Sequence, residues 1–363
     1  MGKRHNQPVD LRLRFHRILF LFAGPFFLSI VSCSSCTLSP ISVDSRITVL
    51  SYNVENLFDD VDNGSEYSDF DPGEGVWDTD LYHTRLANIA EVIRASVKGG
   101  PDILALQEVE NFKALIDLRD NYLNGLGYRY GIITDDDGSA VNAAFLSKIP
   151  IVDFSAHRSQ VVDIRLRSVL EAKFNTGGID LIIFNGHWKS KSGGAEVTEK
   201  LRVASARIVT GRIRELLSLD PDLEILVAGD LNERIDEFEA CGGSYQTALV
   251  PIDAVVPESY YDSSIGVTSN IEQVGVREEG IVLFSPWFDA SAPGSYVYAY
   301  QWEKIDHFLL TGGLLDNAGL RFEAFEVVNR DFMMNTSGYP KRWNTRLAAG
   351  YSDHLPLLLH LAR

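Results

Sequence analysis

The sequence is poor in cysteine, poor in positive charge and almost free of long apolar runs. Three cysteines in 363 residues exclude a disulfide-stabilised scaffold and a zinc site with four cysteine ligands. Lysine and arginine number 33 against 50 acidic residues, so the formal net charge is −17. That charge excludes a basic protein that coats nucleic acid through counterion release. It does not exclude an enzyme that binds a divalent cation through carboxylates, because the bound cation, and not the protein surface, then contacts the phosphate.

The body of the chain has the composition of an ordinary globular protein. Hydrophobic residues make up 45% and charged residues 23%, which excludes bulk disorder. No repeat of 20–50 residues and no Pro/Gly/Ser-rich linker divides the chain after residue 46. We therefore expect a single α/β domain over residues 46–363.

The N-terminal segment is typical of an export signal. A basic head precedes an apolar stretch at 18–31, which contains Pro25 and is too short to span a membrane comfortably. The run Ile30-Val31-Ser32-Cys33 resembles a bacterial lipobox, in which the cysteine is lipidated. We interpret 1–32 as a lipoprotein-type signal peptide and 33–45 as a tether, which predicts an exported protein on the periplasmic or cell-surface face of a membrane. An uncleaved anchor, or cleavage at a nearby small residue, is the alternative.

Short β-branched runs alternate with helical patterns along the body. Strands are predicted at 47–54, 103–106, 130–133, 143–146, 169–174, 181–184, 225–228 and 307–310. Apolar residues keep helical spacing at 86–97 and 201–217. The stretch 237–287 is rich in Gly, Ser and Tyr with weak periodicity, and we expect long surface loops there.

Polar side chains recur where the predicted strands end. They are Asn53, Glu108, His187, Asp230, Asn232, Asp306, Asp353 and His354. Each alone is explained by a turn or a helix cap. Eight such groups repeating one placement instead indicate a crevice at a common sheet edge, where strands position side chains well.

Six motifs around these residues occur in a fixed order. They are SYNVENLFD (51–59), ALQEVEN (105–111), NGHWKSK (185–191), AGDLNE (228–233), KIDH (304–307) and YSDHLP (351–356). Together they resemble the endonuclease/exonuclease/phosphatase family, the DNase I-like and exonuclease III-like enzymes, over about 47–360. The resemblance implies an α/β fold, a four-layer sandwich of two facing mixed β-sheets flanked by helices.

The resemblance also implies a metal site. Glu108 is then the main ligand, with Asn53 beside it and Asp353 completing the set. Carboxylate and amide oxygens suit Mg²⁺ or Mn²⁺ rather than zinc. A second ion, Ca²⁺, is conceivable in the acidic segment 59–80, which we interpret instead as solvated acid.

Catalytic roles follow from the same resemblance. Asp230 and Asn232 match the pair that contacts the attacking water and the phosphate. His354 matches the histidine beside the scissile phosphate, with Asp306 as its orienting partner. Whether Asp230 or His354 activates the water stays open. His187 is expected to stabilise the transition state or to protonate the leaving oxygen, and the alternative is a buried structural histidine.

Substrate contacts are less strongly indicated. Lys189 and Lys191 either bind flanking phosphates or are solvated loop charges. Asn142 falls where family members present a phosphate-facing polar residue, and a structural role is as well supported. Three aromatic residues either line the cleft or fill the core: Trp77, Trp287 and Tyr300.

These patterns favour a monomeric, metal-dependent phosphodiesterase that degrades DNA or RNA outside the cytoplasm, held to the membrane only by its lipid. The sequence shows no basic recognition helix and no aromatic stacking stripe. The alternatives are a lipid phosphodiesterase, with 280–287 as its one candidate apolar surface hairpin, an inositol phosphate phosphatase, or a binding lipoprotein without activity.

Overall fold

Alternating side chains of the first strand, β1 (Arg46–Leu57), pack into two different apolar layers in the computed structural model. Val49 belongs to one cluster, which fills the space between two sheets and continues beneath a long helix. Leu50 and Tyr52 belong to a second cluster on the opposite face of the same sheet. This alternation is what the period-2 geometry of a strand requires when both faces of a sheet are covered.

The structure describes residues 46–363 except 137, 159, 162, 163 and 279. The predicted signal peptide, the tether and Cys33 lie outside the described residues. Among the described residues, no helix is both long enough and apolar enough to cross a bilayer.

Two large mixed sheets stack face to face. The first contains, in spatial order, β18 (Arg321–Val327), β19 (Leu357–Ala362), β1, β2 (Ile103–Val109), β4 (Asn142–Ser147) and β3 (Tyr130–Ile133). The second contains β11 (Leu249–Pro251), β12 (Ile265–Thr268), β14 (Gly280–Phe284), β17 (Asp306–Leu310), β10 (Glu224–Asp230), β9 (Asp180–His187), β8 (Val169–Asn175) and β5 (Ile151–His157), with β13 (Gly275–Arg277) paired to β14.

Two small hairpins and four α-helices complete the described fold. The hairpins pair β6 (Gln160–Val161) with β7 (Ile164–Arg165), and β15 (Tyr296–Tyr298) with β16 (Gln301–Glu303). The helices are α1 (Thr79–Ser96), α2 (Phe112–Asp117), α3 (Ala195–Leu219) and α4 (Glu237–Ala240). Helix α1 begins where the Asp78 carboxylate accepts a hydrogen bond from the Leu81 amide, a side-chain N-cap.

The layered fold matches the expectation from sequence. Helix α1 packs on the six-stranded sheet and α3 on the nine-stranded sheet, so helices flank two facing sheets. All eight predicted strands are confirmed to within three residues at each end. Both predicted helices are confirmed, but α1 and α3 begin seven and six residues before the predicted ranges.

The expectation of surface loops over 237–287 is wrong for part of this stretch. It contributes β11, β12 and β14, three short strands whose apolar residues are almost all fully buried, whereas 252–263 is exposed or half-buried. Buried parallel strands need only a few apolar residues each, and the 3₁₀ turn Glu258–Asp262 between β11 and β12 carries Ser and Tyr residues that obscure the pattern. Because β14 is buried, 280–287 is not an exposed apolar hairpin.

A buried amide pair joins the two sheets. Gln107 Nε2 on β2 donates to Asn185 Oδ1 on β9 at 2.7 Å, and both side chains are fully buried. Asn185 Nδ2 in turn donates to the carbonyls of Leu106 and Ala144. A hydrogen bond in the core fixes one relative placement of the sheets, since any slip leaves buried polar groups unpaired.

We expect Asn185→Leu to lower the free energy of unfolding by about 2–4 kcal/mol, because it leaves buried polar groups without partners. Urea unfolding measures this. Gln107→Leu combined with Asn185→Leu should be less destabilised than the sum of the single variants by about 1 kcal/mol. Gln301→Leu at an exposed position is the control. Strict additivity of the two core variants would show that the amides do not act as a pair.

Candidate active site

The register of the nine-stranded sheet brings three predicted site residues side by side. Asp230 pairs with His187 on β9 on one side and with Asp306 on β17 on the other. The close approach of β9 and β10 needs glycine, because a Cβ on Gly229, at φ +130°, would lie 2.0 Å from the Gly186 carbonyl oxygen. The motif glycines therefore serve to place the polar residues that follow them.

Residues of the six-stranded sheet meet this row from the opposite side, in three cross-sheet contacts. His354 Nδ1 lies 2.8 Å from Asp306 Oδ2, Asn53 Nδ2 lies 3.0 Å from Asp230 Oδ2, and His187 Nε2 lies 3.6 Å from Glu108 Oε1. The strand order β19-β1-β2 in one sheet faces β17-β10-β9 in the other. The predicted catalytic and metal-binding residues thus converge on one edge.

Strained backbone accompanies the site. Four non-glycine residues of the motifs have positive φ, at 51°, 62°, 64° and 50°: Glu55, Asn56, Glu108 and Asn232. Such conformations cost free energy and persist where surrounding contacts impose them. Here the contacts come from within the site. The Asn56 backbone N–H donates to Glu108 Oε2, and the Asn232 backbone N–H donates to Asp230 Oδ1, each at 2.9 Å.

His354 and Asp306 form the predicted dyad. Asp306 Oδ2 also accepts a hydrogen bond from Ser295 Oγ at 2.6 Å, and the Asp306 carbonyl accepts one from Trp287 Nε1. Burial alone would lower the pKa of His354, but the Asp306 and Asp230 carboxylates raise that pKa well above its ordinary value. The imidazole is therefore held protonated, with its Nε2 3.8 Å from Asp230 Oδ2.

The donor set fits a divalent cation. Asn53 Nδ2 donates to Glu108 Oε1, at 3.1 Å, and to Asp230 Oδ2, while Asn53 Oδ1, its candidate metal-binding atom, accepts from the Glu55 backbone amide. The carboxylate oxygens of Glu108, Asp230 and Asp353 are therefore the main candidate ligands. Burial raises the pKa of Asp230 to about 7, and burial together with the Asp353 carboxylate raises the pKa of Glu108. Several carboxylates thus converge in a buried place where their mutual repulsion is incompletely compensated, the situation that a bound Mg²⁺ or Mn²⁺ relieves.

One group of three metal-capable side chains with mutually close donor atoms occurs within the described part of the chain: Asp230, Asp306 and His354. Asp306 and His354 hydrogen-bond to each other, so this group is better explained as the dyad with its neighbour. The segment 59–80 adds no comparable group among its described residues.

His187 differs from His354 in its surroundings. Its Nε2 lies 3.7 Å from Asp230 Oδ2 and 3.5 Å from an Arg167 guanidinium nitrogen, and its Nδ1 is buried without a hydrogen-bond partner among the described residues. Burial and the Arg167 charge lower the pKa of His187 well below its ordinary value. The site therefore contains one protonated and one neutral imidazole.

The residues predicted to contact substrate lie in different surroundings. Lys189 lines a cavity of about 670 Å³ together with His187 and Arg167. The Lys191 ammonium is bound to the Glu237 carboxylate. The Asn142 amide is engaged by protein groups, since its Oδ1 accepts from Thr134 Oγ1 and its Nδ2 donates to the Glu110 carbonyl. A phosphate contact by Asn142 stays a prediction, because these hydrogen bonds join Asn142 to Thr134 and Glu110 and not to the cross-sheet residues.

Three aromatic residues were predicted to lie either in the cleft or in the core. Trp77 and Trp287 are core residues, at 1% and 0% exposure. Tyr300 is 80% exposed.

Arg167 is a site residue that the sequence analysis missed. It precedes β8, which pairs antiparallel with β9 so that residue 168 lies level with His187. The signal was available in principle, because the start of a strand lies beside the end of its antiparallel neighbour. Ser295 and Tyr296 were also missed, since they come from a short hairpin that carries no motif.

Two stacked mixed sheets with carboxylate, amide and imidazole groups at one edge define the class of DNase I-like sandwich proteins. A sequence profile of the endonuclease/exonuclease/phosphatase family matches residues 48–241. The chain therefore belongs to this family, whose members are phosphoric ester hydrolases. No curated protein sequence matches the chain.

Solved structures share the fold at low identity. Truncated Caenorhabditis elegans TDP2 is 16% identical with a TM-score of 0.52, over 88% of this chain and 98% of that one. Bacteroides thetaiotaomicron mannosyl-6-phosphatase is 17% identical with a TM-score of 0.54, over 87% and 100%. D. rerio TDP2 in complex with a single-strand DNA product is 14% identical with a TM-score of 0.51, over 88% and 100%.

We expect Asp306→Asn to move the alkaline limb of the pH–rate profile to lower pH by about one unit or more, because the Asp306 charge keeps His354 protonated at higher pH. Steady-state rates on a small phosphodiester between pH 5 and 9 measure the limb. Asp262→Asn, at an exposed position, is the matched control. An unchanged alkaline limb would show that Asp306 does not control the protonation of His354.

Proposed function

We propose that the chain is a divalent-metal-dependent phosphodiesterase that hydrolyses DNA or RNA. The observation that carries the proposal is the set of three cross-sheet contacts, His354 with Asp306, Asn53 with Asp230 and His187 with Glu108. They supply, within one small volume, the anionic oxygens and the imidazoles that phosphoester hydrolysis needs.

Glu108 and Asp353, with Asn53 beside them, would hold the cation, as the motif match implies and as the raised pKa of Glu108 supports. When bound, a divalent cation neutralises charge on the phosphoryl oxygens and on the leaving oxygen.

The protonation states support Asp230 as the base that activates water. A pKa of about 7 lets its carboxylate accept a proton near neutral pH. His354 is held protonated by Asp306 and is therefore suited to donate a hydrogen bond to a phosphoryl oxygen, not to accept a proton. Asn232, whose backbone N–H donates to Asp230 Oδ1, is placed to orient the same water or the phosphate.

Local charge supports a polyanionic substrate despite the net charge of −17. The cavity beside His187 is lined by Lys189 and by three arginines, Arg158, Arg165 and Arg167. One of the three, Arg158, is paired with Asp136. The remaining cations attract phosphates flanking the scissile bond, so the acidic surface is offset where the substrate would lie. The similarity to D. rerio TDP2 with a single-strand DNA product adds support.

A phosphomonoester is the second candidate. The similarity to a mannosyl-6-phosphatase, at a TM-score of 0.54, favours it, and the cationic cavity would suit a monoester dianion. The lipid phosphodiesterase alternative loses its candidate surface, because β14 is buried.

We also propose that the protein is exported and tethered through lipidated Cys33, on the strength of the basic head, the apolar stretch and the lipobox-like run. Expressed in a bacterium that is fed an alkyne-tagged fatty acid, the wild-type protein should carry the label, and Cys33→Ser should not. Cys241→Ser is the matched control. Label on Cys33→Ser would contradict lipidation at this residue.

We expect Glu108→Gln to lower the nicking of supercoiled plasmid in Mg²⁺ or Mn²⁺ by at least about 100-fold, and EDTA to abolish nicking by the wild type. The melting temperature supplies an independent readout. Without metal it should not fall in the variant, because one buried negative charge is removed from a repulsive cluster.

In the wild type the melting temperature should rise with added Mg²⁺ or Mn²⁺, and this rise should be lost in Glu108→Gln. Glu258→Gln, at an exposed position, is the matched control. Full nicking by Glu108→Gln would refute the metal assignment. Metal-dependent hydrolysis of small phosphate esters without cleavage of DNA or RNA would move the assignment to the phosphomonoester candidate.

A further inference from the structure

The β15–β16 hairpin is attached directly to the catalytic dyad. The Leu355 amide donates to the Ser295 carbonyl at 2.7 Å, and Ser295 Oγ donates to Asp306 Oδ2. The Tyr296 ring lies against the His354 imidazole, with centroids 4.6 Å apart and planes tilted by 30°. The hairpin is therefore positioned by the same residues that position the reactive histidine.

Tyr298 continues the face that begins with Tyr296. Residues two apart on a strand point to the same side, about 7 Å apart. Both tyrosines line one cavity of about 670 Å³, and Asn232 lines it as well. Tyr296 is half-buried beside His354, whereas Tyr298 is 65% exposed. An aromatic path thus leads from the catalytic histidine out to solvent, which the sequence analysis did not expect.

The described side chains that line this tyrosine cavity offer no unpaired positive charge to a phosphate, although the N-terminus of α3 also borders it. The one lysine of the cavity, Lys191, is bound to Glu237 and lies 4.0 Å from a Glu303 carboxylate oxygen. Glu303 itself lines the cavity and would repel an anion. The group that fits is flat, uncharged and able to donate hydrogen bonds to a carboxylate, as the amino groups of nucleobases do.

The tip of the hairpin is held in a costly conformation. Ala299 and Tyr300 form its two-residue turn with φ of +46° and +66°, where glycine or asparagine is usual. The Tyr339 hydroxyl donates to the Tyr300 carbonyl, and the two rings lie 6.5 Å apart. A strained turn that keeps a tyrosine 80% exposed is unfavourable for folding alone and is consistent with a role in binding.

We propose that the Tyr296–Tyr298 face is a stacking subsite for unpaired bases adjoining the scissile phosphate, so that the substrate is single-stranded nucleic acid. This inference rests on the proposed nuclease function. Bases expose their faces to an aromatic ring only when unpaired or unstacked, and stacking on an aromatic side chain tolerates any base. A continuous duplex keeps its bases covered and cannot use the path.

The test compares three substrates with the purified full-length chain in Mg²⁺ or Mn²⁺. They are a 12-nucleotide single strand, supplied as DNA and as RNA, the same strand annealed to its complement, and a strand of the same length made only of abasic residues, which has phosphodiesters but no ring to stack. The variants are Tyr298→Ala, Tyr298→Phe and the control Phe154→Ala, an exposed aromatic at 56% on β5.

The wild type should cleave the single strand in preference to the duplex. Tyr298→Ala should raise KM for the single strand about 5- to 150-fold, the equivalent of losing one stacked base, with a smaller effect on kcat. The loss on the abasic strand should be at least about ten-fold smaller. Tyr298→Phe, which keeps the ring, should restore KM to within about two-fold, and Phe154→Ala should match the wild type.

Three results would overturn the inference while leaving the nuclease proposal intact. They are preference for duplex, an unchanged KM in Tyr298→Ala, and equal losses on the oligonucleotide and on the abasic strand. A wild-type protein that hydrolyses bis(p-nitrophenyl) phosphate, a small diester without a base, but no DNA or RNA would refute the nuclease function, and the stacking subsite with it.

Discussion

The hydrogen bond between Gln107 and Asn185 lies immediately beneath the site and fixes how the two sheets meet. Gln107 is the residue before Glu108, and Asn185 lies two residues before His187. Because side chains alternate along a strand, Asn185 and His187 share one face of β9 and point toward the other sheet. A shift of one residue between the sheets would break the amide pair and at the same time separate Glu108 from His187. One buried polar contact thus couples the packing of the core to the geometry of the reactive groups.

Two buried arginine side chains fix the loops around the site, as the amide pair fixes the two sheets. Arg85 on α1 donates to the carbonyls of Val54, Glu55 and Tyr351, so it joins the end of β1 to the segment that carries His354. Arg202 on α3 is ion-paired with Glu199 and Glu233.

Arg202 also donates to the Lys189 carbonyl, and it thereby joins the loops that follow His187 and Asp230. Both arginines are fully buried, so losing either partner set would leave a charge unpaired in the core. These contacts explain how loops with left-handed residues keep a single conformation.

The convergence at the sheet edge could be predicted from local patterns, whereas the two facing sheets were implied by the resemblance to the family. The run 47–54 is a short, mostly apolar segment of strand length, and Asp230 follows an apolar run of the kind that ends at a sheet edge. The short strands β11 and β12 could not be seen, since runs of three or four residues carry too little periodicity.

The different protonation of the two site histidines could also not be predicted from the sequence. Each follows or precedes an apolar run, and what separates them is spatial: Asp306 beside His354, and Arg167 beside His187. Neither neighbour is close in sequence. Only the pairing of strands across the two sheets reveals them, and so the chemistry of the site depends on topology more than on motif.

The net charge of the chain restricts where a polyanion can approach. Cations gather on the β8–β9 side of Asp230, in the cavity of Arg167 and Lys189, whereas on the β17 side Lys191 is neutralised and tyrosines take the place of charge. A flexible strand can place phosphates on the first side and bases on the second, because each nucleotide carries both groups and free torsions between them.

A rigid duplex presents phosphates on both sides of every groove and would meet Glu303 and the surrounding negative charge. If the chain is a nuclease as proposed, this distribution of charge favours a substrate that can turn one face toward the arginines and the other toward Tyr298, and a single strand meets that condition better than a duplex.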